Sequence, residues 1–393
     1  KMKINNPPGL YFYFLFIIPY LIWFLFCLIY IFNSDLIKAG ELSGFIKLGN
    51  DSSRYLYEAE KLVNFNFSNL YLTKLSYIFL IALVKLLNID LTSIIIFQFA
   101  STIIASYCLY SMGEKISSKW VGLICLSLFL TYIPIQLRNF YLLTEILFIN
   151  FSIILTYLFF FKKEKKILIF LIGLFVLFLR PQSLLIILSI IFSVFLFFKF
   201  YKKYNFVIKF FLISLSLIFI FFFSKLGIHE YNLINALSKG VIWGYSFETN
   251  SICNENCIPG LTNPDNYNKD IFGLLLYVKN NFFILTKISV HKIILFFTGW
   301  RPYYSNIHNL YLIIIHIPTY GFFCYYFLKL KRFNAFETFT LCYVILSVIF
   351  VLFTFVDWSG RFIMYILPFI MLYASKGFLN LFLNIKKQYT LNK

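Results

Sequence analysis

Two carboxylates and two arginines at the edges of apolar runs are the residues of this chain that could do chemistry. Asp51 and Arg54 lie in the polar stretch after the first apolar run, Glu145 opens a later run, and Arg180 precedes a proline. Charges beside membrane-length apolar runs are costly unless they face water, so they are functional candidates. A carboxylate can remove the proton of a hydroxyl nucleophile, and a guanidinium can bind a phosphate through paired hydrogen bonds. The set suits a displacement in which a hydroxyl attacks and a phosphate departs.

Each of these residues also has a purely structural interpretation. Arg180 and Arg361 could extend to lipid headgroups, and Glu145 could face the positive end of its own helix. Asp51 could be an ordinary loop residue. The other candidates in these loops and turns are Arg138 and Arg361 for phosphate binding, and Tyr55, Thr144 and Asp357 for the pocket.

The composition places most of the chain in a membrane. Of its 393 residues, 61% are hydrophobic and 22% are aromatic. A soluble domain could not bury that much apolar surface, so a bilayer must solvate most of it. The net charge of +19 is spread over short clusters between the apolar runs, as the positive-inside rule expects. No basic face or binding motif accompanies the charge, which argues against nucleic acid as a partner.

The apolar runs predict an all-α polytopic membrane protein with about ten transmembrane helices, or up to about twelve, since a span needs about 20 apolar residues. The basic clusters alternate between spans, which places both termini on the cytoplasmic side. Most acidic residues, including Asp51 and Glu145, then face the other side. The predicted spans are residues 10–32, 91–112, 120–136, 141–161, 167–179, 182–198, 209–224, 309–328, 335–356 and 362–383.

Three apolar segments need a different interpretation. Residues 71–88 and 281–298 contain lysines, so we expect juxtamembrane helices at the outer interface, in the first and in a late extracytoplasmic loop, with full spans as the alternative. Residues 167–198 would form one helix of about 48 Å, which is longer than the hydrocarbon core. Arg180-Pro181 should break it, because proline disrupts a helix and a charge needs water. We expect two short spans that meet at the outer surface.

The chain is predicted to form one membrane-embedded domain, residues 1–393. It would consist of a module 1–224 with a first extracytoplasmic loop 33–90, a second loop 225–308, and C-terminal helices 309–393.

Two cysteines in the second predicted loop are spaced closely enough to interact. Cys253 and Cys257 flank three polar residues, and a disulfide between them would fit an oxidising compartment. Two free thiols are the alternative. A metal site is less favoured, because no histidine clusters with the pair.

The order of the charged motifs resembles that of the GT-C glycosyltransferases. The chain is similar in particular to the branch with protein mannosyltransferases and lipid A aminoarabinose transferases, best over residues 5–200. It departs from the pattern at Asn50 and in having no soluble C-terminal domain, which leaves the acceptor open. The matching residues are Gly49, Asp51, Tyr55, Thr144-Glu145, Arg180-Pro181, and Arg361 before a proline-containing last span.

The resemblance implies an inverting sugar transfer from a polyprenyl-phosphate carrier at the extracytoplasmic face. Asp51 would be the base that deprotonates the acceptor hydroxyl, and Glu145 would position acceptor or base. Arg180 is the first choice for the donor phosphate, ahead of the other arginines. No cofactor is implied with certainty; some members use a divalent cation, and Mg²⁺ or Mn²⁺ held by Asp51 and Glu145 stays open.

The implied partners are a polyprenyl-phosphate sugar, a glycan or lipid acceptor, and membrane lipid. A transporter or flippase of lipid-linked saccharides is one alternative, although it should show broken helices in repeated halves. A polymerase or ligase is another, although the loop 225–308 has a single arginine, Arg301. The expected location is a bacterial inner membrane, since the Lys, Asn, Ile and Phe usage fits an AT-rich genome.

Overall fold

In the computed structural model, the regular secondary structure of the described residues is helical. An isolated parallel bridge between Lys47 and Tyr141 accompanies the helices. The described residues are 9–33, 46–49, 51–68, 71–198, 237, 262, 266, 271–301, 303–353 and 360–391.

The chain divides into two compact units. The first unit comprises Lys1–Ser183, Thr319–Leu330 and Leu367–Lys393, and the second comprises Leu184–Pro318 and Lys331–Ile366. The organisation into one domain, with divisions near residues 224 and 308, stays a prediction.

The first unit holds the N-terminal helices, which surround the charged residues of interest. Two short 3₁₀ turns, Leu72–Lys74 and Leu137–Phe140, precede α3 and follow α6. The helices are α1 Gly9–Asn33, α2 Ser52–Val63, α3 Leu75–Leu86, α4 Thr92–Ile116, α5 Lys119–Thr131, α6 Ile133–Gln136, α7 Glu145–Phe161 and α8 Lys166–Leu177.

The later helices lie mainly in the second unit. The last two proline-containing helices each contribute residues to both units. The helices are α9 Ser183–Phe198, α10 Ile271–Asn280, α11 Phe282–Thr298, α12 Asn306–Leu328, α13 Ala335–Phe353 and α14 Arg361–Leu391.

The prediction of a helical membrane protein is confirmed, whereas the number of ten spans stays a prediction. Predicted spans 141–161, 167–179 and 182–198 correspond to shorter apolar helices, and 209–224 lies outside the described residues. Within the described residues, five helical segments are long and apolar enough to cross a membrane: Phe12–Phe32, Thr92–Ile116, Asn306–Leu328, Ala335–Leu352 and Arg361–Ile385.

The predicted span 120–136 is broken rather than continuous. Lys119–Thr131 and Ile133–Phe140 meet at an angle of 61°. Pro134 lies in the first turn of the second piece, where proline is tolerated, but in a continuous helix its ring would clash with the carbonyl group four residues earlier, and Tyr132 is extended instead, with φ −77° and ψ 93°. The chain therefore bends at Tyr132.

The predicted break at Arg180-Pro181 is present, because α8 ends at Leu177 and α9 begins at Ser183. In the segment 71–88 the helix α3 has only 12 residues, and α11 in 281–298 has 17. Neither is among the helices long enough to span by the same measure. The interpretation of both segments as juxtamembrane helices stays a prediction.

A buried polar network joins α4 and α7 to the bent segment. Gln98 Nε2 donates to Asn139 O at 2.8 Å, and Thr102 Oγ1 donates to Asn139 Oδ1 at 2.9 Å. Asn150 Nδ2 donates to Thr102 Oγ1 at 2.9 Å. All four side chains are buried. In a membrane, hydrogen bonds between helices help to hold the helices together, because the hydrophobic effect does not drive their association. The network therefore fixes the segment that leads to Glu145.

Candidate functional site

The first predicted loop is joined by backbone hydrogen bonds to the turn before α7. Lys47 N donates to Phe140 O at 2.8 Å, and Leu142 N donates to Lys47 O at 3.0 Å. These bonds form the bridge between Lys47 and Tyr141. Segments separated by more than ninety residues in the sequence therefore lie side by side, four residues before Asp51 and three before Glu145.

Ser52 and Gly49 lock this junction by a side-chain bond and a close packing contact. The Ser52 hydroxyl donates to Leu142 O at 2.8 Å and accepts from Gly49 N at 2.8 Å. A Cβ atom at Gly49 would lie 2.9 Å from Leu143 Cδ1. A side chain at position 49 would therefore require the Leu143 side chain to shift.

Asp51 stands at the N-terminal end of α2 and faces two cations. Arg54 Nη2 lies 3.3 Å from Asp51 Oδ1, and Lys74 Nζ lies 3.9 Å from Asp51 Oδ2. The Asp51 side chain is 25% exposed, so water and a substrate can reach it. The Arg54 guanidinium also lies 5.1 Å from the centre of the Tyr71 ring.

Of the two cations that face Asp51, Lys74 is the better shielded from solvent. It ends the 3₁₀ turn before α3, and its side chain is 14% exposed. Its ammonium donates to the Tyr55 hydroxyl at 2.8 Å. Burial and, after it, the nearby Arg180 guanidinium lower the pKa of Lys74 to about 8, although the Asp51 and Glu145 carboxylates oppose the shift.

Tyr55 lies beneath the two cations on the buried face of α2. Its side chain is buried, and its ring meets Tyr77 edge to face, with 5.5 Å between the ring centres. Besides accepting from Lys74, its hydroxyl is a hydrogen-bond partner of Thr144. Burial and then the Glu145 carboxylate raise the pKa of Tyr55, so it is neutral at ordinary pH.

Arg180 and Glu145 form a buried ion pair. Arg180 Nη1 lies 2.9 Å from Glu145 Oε1 and donates to Thr144 Oγ1 at 2.9 Å. Their side chains are 6% and 1% exposed. Glu145 is the first residue of α7, where the helix dipole favours a carboxylate, and Arg180 occupies the break between α8 and α9.

The structure therefore brings six of the predicted site residues into one group. The charges of Asp51, Arg54, Glu145 and Arg180 all act on Lys74, which shows that they surround it. We call this group, with Lys74 added, the charge cluster: Asp51, Arg54, Tyr55, Lys74, Thr144, Glu145 and Arg180.

The other predicted site residues are not placed in the charge cluster. The Arg138 guanidinium lies 5.9 Å from the Tyr141 ring centre, and no ion pair joins it to a carboxylate within the described ranges. Arg361 opens α14 in the second unit. Asp357, Cys253 and Cys257 lie outside the described residues.

Sequence reasoning missed Lys74 as a site residue. Lysines in the apolar segment 71–88 were interpreted only as obstacles to membrane crossing. A lysine that directly precedes a helix of mostly apolar residues was the available signal, since such an ammonium needs a specific partner.

The charge cluster is not built like a metal centre. Among the described residues, no group of three or more His, Cys, Asp or Glu side chains could hold a metal ion. Glu145 is engaged by Arg180, and Asp51 faces Arg54 and Lys74. These carboxylates do not fit the divalent cation considered from the sequence.

The first unit also contains an apolar groove whose lining includes residues close to Lys74 in the sequence. Its volume is about 960 Å³, and its lining includes Leu72 and Leu75, on either side of Lys74 in the sequence, together with Phe79, Phe175 and Phe178. Ser76 N donates to Phe178 O at 3.0 Å, which ties the start of α3 to the end of α8. A long apolar chain could lie in this groove with its polar end near Lys74.

The fold and the site define a helical membrane protein that contains a mixed-charge cluster and an apolar groove in the same unit. No family model matches the chain, and no curated protein or solved structure matches it either.

Proposed function

We propose that this protein is a glycosyltransferase that moves a sugar from a polyprenyl-phosphate donor to a hydroxyl acceptor. The observation that supports this best is the position of Asp51. Its carboxylate is accessible and lies within 4 Å of two cations, close to an apolar groove. Such a reaction needs three parts: a base, cations that bind the phosphate, and a groove for the lipid tail.

The donor would be held by its two chemically different ends. The isoprenoid tail would occupy the groove along α3 and α8, and the phosphate would meet Lys74 and Arg54. We assign the phosphate to these cations rather than to Arg180, because Arg180 is buried and already engages Glu145 and Thr144. Arg180 would then hold the turn before α7 in place.

The reaction would follow from this arrangement. Asp51 removes the proton of the acceptor hydroxyl, whose oxygen attacks the anomeric carbon from the side opposite the phosphate. The bond between that carbon and the phosphate oxygen breaks, and its electron pair stays on the lipid phosphate. The contacts of Lys74 and Arg54 with Asp51 would open as the donor binds, so that both cations stabilise the charge on the departing phosphate. The product is a glycoside of inverted configuration. The proton on Asp51 returns to water through its exposed face.

The setting of the reaction is part of the same proposal. A lipid-borne donor supplies an activated sugar where nucleotide sugars are absent, which suits the extracytoplasmic face of a bacterial inner membrane. The acceptor would be a glycan or a lipid.

Replacing Asp51 with Asn tests this proposal directly. The purified protein in lipid nanodiscs would receive a panel of radiolabelled polyprenyl-phosphate hexoses and pentoses with membrane extract as acceptor. Asp51→Asn should lower sugar release from the lipid at least about 1,000-fold, because the base is removed but the shape is kept.

Glu60→Gln is the matched control, since Glu60 is an exposed carboxylate on the same helix that pairs with Lys85 at 2.6 Å. It should transfer sugar at the wild-type rate. Undiminished transfer by Asp51→Asn would remove Asp51 from the mechanism. Movement of intact donor across the membrane of vesicles that contain the purified protein, without sugar release, would instead identify a transporter.

A further inference from the structure

Tyr55 occupies the point where the two charged pairs of the cluster meet. On one side its hydroxyl accepts a hydrogen bond from Lys74 Nζ at 2.8 Å, which is shorter than the 3.9 Å between Lys74 Nζ and Asp51 Oδ2. On the other side the Thr144 side chain acts electrostatically on the Tyr55 hydroxyl, and the Thr144 hydroxyl accepts from Arg180. Thr144 is fully buried. One phenol group therefore connects the accessible pair to the buried pair.

The side chain of Tyr55 is itself rigidly held. It projects from the buried face of α2, and its ring packs edge to face against Tyr77 on α3. Lys74, by contrast, has a flexible four-carbon chain whose position is set by what its ammonium contacts. The rigid Tyr55 oxygen, 2.8 Å from the Lys74 ammonium, therefore sets the position of the ammonium.

We propose that Tyr55 is a positioning residue that holds the Lys74 ammonium at the phosphate site and links it to the Glu145–Arg180 pair. The proposal rests on the function proposed above for Lys74. It adds that the charge of Lys74 depends on the Tyr55 hydroxyl oxygen, which accepts from Lys74 and does not contact the substrate.

The electrostatic surroundings of Lys74 give the expected direction of the effect. Arg54 and Arg180 disfavour its charge, whereas Asp51 and Glu145 favour it. The Tyr55 oxygen adds a hydrogen-bond acceptor, which also favours the ammonium. Loss of this oxygen therefore favours the neutral amine, and the pKa of Lys74 should fall.

The variant Tyr55→Phe removes only the hydroxyl and keeps the ring against Tyr77. We expect the midpoint of Lys74 acetylation by acetic anhydride, followed by mass spectrometry over pH 6–11, to move down by roughly one unit. In the transfer assay the alkaline fall of kcat/KM should move down by the same amount, with KM for the donor raised more than kcat is lowered. Tyr57→Phe is the matched control, because Tyr57 is an exposed tyrosine on the same helix (58% exposed).

Thr144→Val is a second variant, which keeps the shape of the side chain while removing the hydroxyl between Tyr55 and Arg180. It should shift the Lys74 midpoint in the same direction by a smaller amount. An unchanged or raised midpoint in folded Tyr55→Phe would overturn the inference. The labelling needs no sugar transfer, so a shifted midpoint in a protein without transferase activity would leave Tyr55 as the positioning residue and remove the proposed function alone.

Discussion

At the scale of single residues, Lys74 differs from Arg54 in being the better shielded of the two cations beside Asp51. Its side chain is 14% exposed, against 43% for Arg54. The cluster contains three cations and two carboxylates, so it carries an excess of positive charge that suits an anionic ligand. Because burial lowers the pKa of Lys74 from 10.5 to about 8, its charge destabilises the fold at neutral pH. That cost is relieved as pH rises from about 8 to 10.5, since the unfolded chain then binds more protons than the native state.

Lys74→Gln should separate donor binding from the rest of the reaction. A charge-assisted hydrogen bond contributes about 1.5–3 kcal/mol, so KM for the polyprenyl-phosphate donor should rise about 10- to 100-fold. The ammonium is present below its pKa of about 8, so the alkaline fall of wild-type kcat/KM near that pH should be absent from the variant. Steady-state kinetics from pH 6 to 10 would measure both effects.

Lys85→Gln is the control, because Lys85 pairs with the exposed Glu60 on the same two helices. It should leave KM and the pH profile unchanged. A Lys74→Gln variant with wild-type KM would show that the phosphate binds elsewhere.

At the scale of elements, the site depends on breaks in helices rather than on the helices themselves. Arg180 lies between α8 and α9, Glu145 begins α7 after an extended turn, and Lys74 ends a 3₁₀ turn. Each break exposes polar backbone that must be paired, and the first loop supplies partners through its bonds to the turn before α7. We therefore expect the packing of the junction at Gly49 to set the position of Asp51, two residues later.

Gly49→Ala should misplace the first loop without altering any charged residue. The added Cβ would lie 2.9 Å from Leu143 Cδ1, a contact that requires the buried Leu143 or the loop to move. We expect a loss of about 1–3 kcal/mol in stability from overpacking. Transfer should fall up to about 100-fold, because a shift of about 1 Å in a reacting group has that effect. Thermal unfolding in detergent and the transfer assay would measure the two losses.

Gly321→Ala is the matched control, since a Cβ at Gly321 would meet no atom within 4 Å. It should keep both stability and transfer. Wild-type transfer by Gly49→Ala would mean that the junction does not set the position of Asp51.

At the scale of the whole molecule, composition and helix-breaking residues made the membrane class and the break at Arg180-Pro181 predictable. The order of the charged motifs also anticipated that Asp51, Glu145 and Arg180 would lie together. The bend at Tyr132 was missed, because the proline two residues later was counted inside a continuous apolar run. Lys74 was missed because its role arises from contacts with Tyr55 and Asp51, which no local pattern encodes. The groove could not be predicted either, since its lining comes from α3, α8 and the chain after α2.

The apolar groove should determine which lipid the protein accepts. Phe79 lines it, and Phe79→Asn would place an amide against the tail. Burial of a large apolar side chain contributes about 1.5–3 kcal/mol, so KM for a long-chain polyprenyl-phosphate sugar should rise about tenfold or more. KM for a short-chain, water-soluble analogue should stay unchanged, because its tail does not reach the groove. Phe65→Asn is the control, since Phe65 is 78% exposed and has a φ of 54°, which asparagine tolerates. Equal changes in KM for both donors in Phe79→Asn would show that the tail lies outside the groove.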